Sequence, residues 1–145
     1  MNKSNQSITG LAEISLRVHD LDRMRQFYEQ VIGLRVLKEN RYSRGTAVFY
    51  AVGPGDDNLA LFEETLMDWY TRDKSPQIDP KGTTLAHFAL SLALDDFESE
   101  KKRLEQLGVE IVESSTAGWM RCRMFYIYDP EGNLIEFKSH DESVQ

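Results

Sequence analysis

The sequence has a single cysteine and a shortage of basic residues, and both shortages exclude classes of protein. Cys122 has no partner for an intramolecular disulfide, which is expected of a chain in the reducing cytoplasm. With 17 Lys and Arg against 24 Asp and Glu, the net charge is −7, and no basic stripe could neutralise nucleic-acid phosphates. No apolar run is long enough to cross a bilayer, and residues 1–9 lack the apolar core of a signal peptide. We therefore expect a cytoplasmic protein that acts on a small-molecule substrate and binds neither nucleic acid nor membranes.

An internal repeat is the main feature that the sequence does contain. Residues 58–62 (NLALF) resemble residues 133–137 (NLIEF) at an offset of 133 − 58 = 75. Residues 13–18 (EISLRV) match residues 87–92 (HFALSL) at an offset of 87 − 13 = 74. Self-similarity of this kind predicts two modules related by a pseudo-twofold axis, with equivalent positions close to that axis.

Hydrophobic periodicity predicts the same order of elements in each half. The first half reads as strands 11–18, 34–41, 46–51 and 58–64, with a helix that begins at Asp20 and ends at Gly33. The second half reads as strands 85–92, 109–113, 121–128 and 134–138, with a helix from Asp95 or Asp96 to Gly108. We predict an α+β fold in which residues 8–138 form one domain of two βαβββ modules. The modules span about residues 8–64 and 82–138, with a connector at 65–81 and a polar, frayed tail at 139–145.

The equivalent positions of the repeat hold three possible metal ligands. We expect Glu13, His87 and Glu136 to meet near the axis, with Leu61 at a fourth, apolar corner. Two carboxylates in one cavity repel each other and are costly to desolvate, and a divalent cation offsets both effects. Three protein ligands leave positions open for water or substrate, as in reactive rather than structural sites. Fe, Mn, Ni, Co and Zn all suit such a donor set, and the sequence does not choose among them.

Other interpretations of these residues stay open at this stage. Glu13 and Glu136 could be solvated, or each could pair with an arginine. The candidate arginines are Arg17, Arg121 and Arg123. Tyr126 would share a face with Glu136 if the two were cross-strand partners, and it could then donate a hydrogen bond to an oxygen at the metal; a packed strand tyrosine is equally compatible. His19 has the wrong strand parity for a ligand, so we expect an exposed or capping side chain.

Three segments together carry a family resemblance. They are residues 14–34, residues 85–90 and residues 125–137, the last reading as a strand, a DPxGN turn and a strand that bears Glu136. In these segments the chain resembles the vicinal oxygen chelate superfamily of glyoxalase I, extradiol dioxygenases, methylmalonyl-CoA epimerase, and fosfomycin and bleomycin resistance proteins. The resemblance implies paired βαβββ modules that form a curved mixed sheet around a cup-shaped cavity. It also implies a divalent metal at the base of this cup, with His87 and Glu136 among the ligands.

The chain departs from the best-known members of this superfamily at two positions. Glu13 stands where many members have His, which weakens the match to the two-His, one-carboxylate site of the extradiol dioxygenases. Leu61 falls where glyoxalase I has an acidic ligand, with Glu63 two residues further on. The resemblance implies a metal-dependent enzyme for a small oxygenated substrate, with glyoxalase-like lyase or isomerase chemistry slightly favoured over dioxygenation. Glu13 or Glu136 would act as the base, and Tyr126 as a hydrogen-bond donor.

Two alternatives stay open. One is a fosfomycin-modifying enzyme, which would need a strongly cationic pocket around the phosphonate, with Arg121, Arg123 and Arg17 as the candidates. The other is a metal-free ligand-binding protein of the bleomycin-resistance kind. Such a protein would share the fold, and the residues at positions 13 and 61 are consistent with a site that has lost its metal. We also expect a homodimer. The sequence leaves open whether each cup is built within one chain or across two chains.

Overall fold

The computed structural model describes Ser7 and residues 10–66 and 85–145. The first half contains β1 (Glu13–Val18), α1 (Leu21–Gln26), β2 (Arg35–Tyr42), β3 (Gly45–Ala51) and β4 (Asn58–Glu63). The second half contains β5 (Phe88–Ser91), α2 (Phe97–Gln106), β6 (Glu113–Ala117), β7 (Cys122–Tyr128) and β8 (Leu134–His140). A π-helical stretch, Phe27–Ile32, continues α1, and short 3-10 turns lie at Glu64–Leu66, Leu94–Asp96 and Gly118–Met120. The predicted connector lies outside the described residues from position 67 on.

The strands form two four-stranded mixed sheets with the same topology. Their orders are β1-β4-β3-β2 and β5-β8-β7-β6. In each sheet the first and last strands of the module pair in parallel, and the other neighbours are antiparallel. This arrangement confirms the predicted α+β class. Within the described residues, no helix is long and apolar enough to cross a membrane.

Local chemistry explains where α1 begins and where its π-helical continuation ends. The Asp20 side chain accepts a hydrogen bond from the Arg23 N–H at 3.0 Å. Gly33 adopts the left-handed conformation (φ 86°) that follows the last helical turn. The second module also contributes, because the Glu131 carboxylate accepts from the N–H groups of His19 and Asp20 at 2.7 and 3.0 Å. A carboxylate at this position stabilises the positive end of the helix dipole.

A single apolar core joins the two modules. It combines buried residues of β1, β4 and the α1 region with residues of β5, α2, β7 and β8. Phe125 stacks on Phe137 with ring centroids 4.8 Å apart, and Phe97 of α2 meets Phe125 edge-on at 5.3 Å. Because one buried cluster contains residues of both modules, the two modules are expected to fold as one unit.

A buried hydrogen bond between Tyr28 and Asp129 ties the first helical region to the β7–β8 turn. The Tyr28 hydroxyl donates to Asp129 Oδ2 at 2.7 Å, and Asp129 is only 4% exposed. Asp129 also accepts from the backbone N–H groups of Glu131 and Asn133 at 3.0 and 2.9 Å. Burial raises the pKa of Tyr28 well above its ordinary value, and the Asp129 charge adds to that effect. The phenol therefore remains a donor throughout the physiological pH range.

We expect Tyr28→Phe to lower the free energy of unfolding by about 1–2 kcal/mol, because it removes one hydrogen bond to a buried carboxylate. Urea denaturation monitored by circular dichroism measures the change. Tyr128→Phe is the matched control on a tyrosine that is 52% exposed, and we expect it to stay within about 0.5 kcal/mol of the parent protein. Equal losses in the two variants would contradict a special contribution from the Tyr28–Asp129 contact.

The strand predicted at residues 109–113 is misplaced. Val109 and Ile111 pack against the core, which accounts for their apolar alternation. The antiparallel ladder with β7 instead runs over Glu113–Ala117, a segment rich in Ser and Thr. The residues that pack on the core and the residues that pair with β7 therefore lie in two adjacent segments. The hydrophobic periodicity of the sequence indicates only the segment that packs on the core.

The frayed tail predicted for residues 139–145 is also wrong at its start. β8 continues to His140, and the Ser139 hydroxyl donates to the Leu92 carbonyl at 2.8 Å. Asp141 is buried and accepts hydrogen bonds from both the backbone N–H and the hydroxyl of Ser143. These bonds, with a further one from Arg123, lower the pKa of Asp141 to about 2. Local and long-range polar contacts thus hold a segment whose composition predicts fraying.

Candidate active site

The β7–β8 hairpin places Tyr126 and Glu136 opposite each other. They are register partners in the antiparallel ladder, which meets the condition under which the two side chains share a face. Ile135 and Phe137 lie in the core, so the alternation of β8 directs Glu136 to the opposite face. The tight turn before β8, with Gly132 at φ 83°, fixes this register.

His87, immediately before β5, contacts Glu136. Its Nε2 lies 3.0 Å from Glu136 Oε2, and its ring meets the Tyr126 ring edge-on with centroids 5.9 Å apart. Glu136 is only 5% exposed, whereas the His87 side chain is 41% exposed. A buried carboxylate is costly unless a positive or hydrogen-bonding partner compensates it. The pair is therefore a desolvated oxygen donor beside an accessible nitrogen donor, a combination that fits two ligands of a divalent ion.

Tyr126 is held as a neutral phenol beside this pair. Burial raises its pKa, and the negative charge of Glu136 adds to the effect. Its hydroxyl lies 3.7 Å from Met124 Sδ, and a thioether is a weak acceptor. The hydroxyl can therefore exchange this contact for a stronger acceptor on a bound ligand.

Glu13 is exposed on β1, where its carboxylate accepts a hydrogen bond from the Ser15 hydroxyl at 2.9 Å. Across residues 10–66 and 85–145 and at Ser7, no group of three or more His, Cys, Asp or Glu side chains could hold a metal ion. The structure thus brings His87 and Glu136 together but does not gather Glu13 with them. The three-ligand set stays a prediction.

A small cavity of about 150 Å³ connects the surroundings of Glu13 with the second module. Glu13 and Asn58, which are register partners on β1 and β4, line it together with Ala89 of β5. Ala89 is in turn the register partner of Glu136. Within the described part of the chain, Asn58 Oδ1 is buried without a hydrogen-bond partner. An unpaired acceptor beside a carboxylate is suited to a cation or to an ordered water.

Leu61 does not occupy the fourth corner that the repeat predicts. It is fully buried in the core, and Glu63, on the same face of β4, accepts from the Thr46 N–H. Glu136 is the register partner of Ala89, and the repeat equates Ala89 with Ser15 of β1. The register partner of Ser15 is Ala60, so Ala60 is the residue equivalent to Glu136. Ala60 lies in a separate apolar cluster with Ala47, Phe62 and Leu66. The fourth position is apolar, as predicted, but Ala60 rather than Leu61 occupies it.

The other histidines and two of the candidate arginines have partners away from this pair. His19 is 80% exposed, with Nδ1 2.6 Å from Glu64 Oε1, and this contact raises the pKa of His19. The expectation of an exposed side chain at this position is confirmed. His140 and Arg121 both contact Glu142, and Arg123 pairs with Asp141. Arg121 and Arg123 therefore do not neutralise the candidate glutamates.

The fold and the motif match one family over nearly the whole chain. The model of the Glyoxalase/Bleomycin resistance protein/Dioxygenase superfamily matches residues 10–137. The chain belongs to this superfamily. The family predicted from three segments of the sequence is thereby confirmed.

Curated relatives within the superfamily are named as enzymes. A lactoylglutathione lyase from Neisseria meningitidis serogroup A is 29% identical over 140 residues, covering 92% of this chain and 95% of the relative. The glutathione transferase FosA of Serratia marcescens is 26% identical over 129 residues, covering 89% of this chain and 79% of the relative. A glyoxalase family protein from Bacillus anthracis, described as putative, has a crystal structure with a TM-score of 0.67. It is 20% identical and covers 97% of this chain and 100% of its own, and it supports the fold.

Proposed function

We propose that this superfamily member is a metal-dependent enzyme with glyoxalase-like lyase or isomerase chemistry. Its substrate would be a small molecule with two adjacent oxygen atoms. His87 and Glu136 would bind a divalent ion, and Glu13 would complete the ligand set. The observation that carries the proposal is the burial of the Glu136 carboxylate against the accessible imidazole of His87. The lyase name of a relative that aligns over 92% of this chain supports the choice of chemistry.

Each polar side chain has a role that its environment suits. A bound divalent ion would polarise the adjacent oxygens of the substrate and stabilise developing negative charge. Glu13 is exposed and hydrogen-bonded to a single hydroxyl, so as a loosely bound ligand it could double as the base that accepts a proton from a carbon next to a carbonyl. Glu136 would serve as an alternative base. Tyr126, as a neutral phenol, would donate a hydrogen bond to the substrate oxygen that gains charge.

We also propose a homodimer that works in the cytoplasm. One chain gathers two of the three candidate ligands, so a second copy could supply what each site lacks. Apolar side chains stand exposed on the surface, among them Trp119 at 86% and Leu107 at 53%. A partner chain would cover such side chains where they form a contiguous patch.

Elemental analysis of protein purified without chelator or affinity tag tests the metal. We expect close to one Fe, Mn, Ni, Co or Zn per chain, and loss of that metal in Glu136→Ala, because the buried oxygen donor is removed. Glu113→Ala is the matched control, since Glu113 is an exposed carboxylate that pairs in register with Tyr126. Absence of metal from the parent protein, with no thermal stabilisation when divalent ions are added, would refute the proposal.

A metal-free ligand-binding protein is the second candidate. The observation in its favour is the apolar cluster on the first sheet, where Phe49 and Phe62 meet edge-on at 5.6 Å beside Ala60. This buried cluster supplies no metal ligand at the position equivalent to Glu136, and its partly buried Phe49 would suit contact with an apolar or aromatic ligand rather than a chelated one. Tight binding of small aromatic compounds in the presence of EDTA would favour this candidate. Binding that requires a divalent ion would favour the enzyme.

A further inference from the structure

A lysine lies on the same face of β8 as Glu136. Lys138 is two residues further along the strand, so their Cα atoms are about 6.8 Å apart. The Lys138 side chain is partly buried, and its ammonium lies 3.4 Å from Met120 Sδ. Among the described residues, that thioether is its hydrogen-bond partner, and no carboxylate lies within ion-pair distance. A thioether compensates poorly for the partial desolvation of an ammonium group.

A serine stands beside this lysine on the neighbouring strand. Ser91 of β5 is the register partner of Lys138 in the parallel ladder, just as Ala89 is the partner of Glu136. Ser91 is exposed, so its hydroxyl is accessible to a ligand. The pair Ser91–Lys138 therefore lies next to the pair Ala89–Glu136 along the two strands, on the same face of the sheet. Together they offer one ammonium and one hydroxyl donor.

Residues near the end of the chain contact the β6–β7 turn, whose Met120 lies against Lys138. Met120 closes the turn between β6 and β7, and the next residue, Arg121, has a positive φ of 48°. The Asp141 N–H donates to the Arg121 carbonyl at 2.8 Å, and the Arg121 side chain pairs with Glu142. These contacts keep a weak acceptor, Met120, at the position where a charged ligand group would bind.

We propose that Ser91 and Lys138 form an anion subsite beside His87 and Glu136, so that the substrate carries an anionic oxygen group in addition to its two adjacent oxygens. This inference rests on the proposed function and narrows its substrate class. A charge-assisted hydrogen bond from Lys138 would discriminate between charged and neutral substrates, and Ser91 would orient the anionic group. When the substrate binds, its anionic group replaces Met120 Sδ as the hydrogen-bond partner of the Lys138 ammonium.

Two hydroxamates of equal length test the subsite by calorimetry on Mn²⁺-loaded protein. Succinic acid monohydroxamate carries a carboxylate at its far end, and its terminal amide carries none. We expect the parent protein to bind the carboxylate probe about tenfold or more tightly than the amide probe. Lys138→Met should bring the two affinities within about twofold, with Mn²⁺ affinity retained or raised because a positive charge near the ion is removed.

Two further variants separate the charge from the packing of the lysine stem. Lys138→Arg should retain most of the preference, and Ser91→Ala should reduce it by a few-fold. Equal binding of the two probes by the parent protein would overturn the subsite, as would a preference that survives in Lys138→Met. In both cases, binding of the hydroxamates to the Mn²⁺-loaded protein would still support the proposed metal-dependent enzyme. Failure to bind Mn²⁺ or either hydroxamate would overturn the proposed function together with the subsite.

Discussion

Leu61→Glu is expected to unfold the protein. Leu61 is completely buried in the core shared by the two modules, together with Leu59 of the same strand. Loss of the leucine side chain alone costs about 2–5 kcal/mol. An unpaired carboxylate in its place adds several kcal/mol more, which together approach or exceed the total stability of about 5–15 kcal/mol for a typical domain. Circular dichroism and one-dimensional NMR of the purified variant measure the outcome.

Two milder substitutions make the result interpretable. Leu61→Met conserves volume and should cost less than about 1.5 kcal/mol, whereas Leu61→Ala should cost about 2–5 kcal/mol. If position 61 faced the cup, as the repeat in the sequence predicts, Leu61→Glu would fold and would bind divalent ions more tightly. A folded Leu61→Glu variant with raised metal affinity would therefore show that the side chains of β4 face the other way.

The error at Leu61 shows why a repeat in sequence does not fix strand parity. Alignment of the NLxxF motifs gives an offset of 75, which equates Leu61 with Glu136 (136 − 61 = 75). The sequence offset of 74 between β1 and β5 equates Ser15 with Ala89 (89 − 15 = 74). The ladders pair Ser15 with Ala60 and Ala89 with Glu136, so Ala60 is the residue equivalent to Glu136, at an offset of 136 − 60 = 76. A shift of one residue reverses the face of every side chain in a strand. The leucines at 59 and 61 pack into the core, and this burial sets the parity of β4.

Sequence patterns succeeded where the determining contacts are local. The caps at Asp20 and Gly33 depend on residues within one helical turn, and the structure has both. The DPxGN turn fixes the register of β7 against β8 and makes Tyr126 and Glu136 register partners, which is the condition that the sequence left open. The ordered start of the tail could not be predicted, because it depends on the long-range hydrogen bond of Ser139 to Leu92.

The candidate site also has parts that depend on local contacts and parts that depend on long-range packing. Alternation along β8 and the start of β5 predicted that His87 and Glu136 would face one cavity, and they are 3.0 Å apart. The position of Glu13 depends on how the two sheets approach each other. That approach is set by packing across the shared core and by any partner chain, and a strand's own periodicity does not encode either. The ligand role of Glu13 therefore stays a prediction.

Glu136→Leu is expected to increase the stability of the metal-free protein while it abolishes metal binding. Glu136 is buried, and His87 is its partner. Replacement of the carboxylate by an apolar side chain of similar size avoids its desolvation, and His87, whose side chain is 41% exposed, is left in contact with solvent rather than buried without a partner. We therefore expect a gain of about 1–3 kcal/mol. Changes in the residues that support a metal ligand already cost about 10–100-fold in affinity, so loss of the ligand itself should cost at least about 100-fold.

Urea denaturation in EDTA measures the first effect, and calorimetric titration with Mn²⁺ or Zn²⁺ measures the second. Glu113→Leu is the matched control, because it removes an exposed carboxylate from β6 and should change neither quantity appreciably. Opposite changes in stability and metal affinity would indicate that Glu136 is retained for binding at a cost in folding free energy. If Glu136→Leu instead destabilised the protein and left metal affinity intact, the His87–Glu136 contact would be a structural ion pair, and the metal would have to be bound elsewhere.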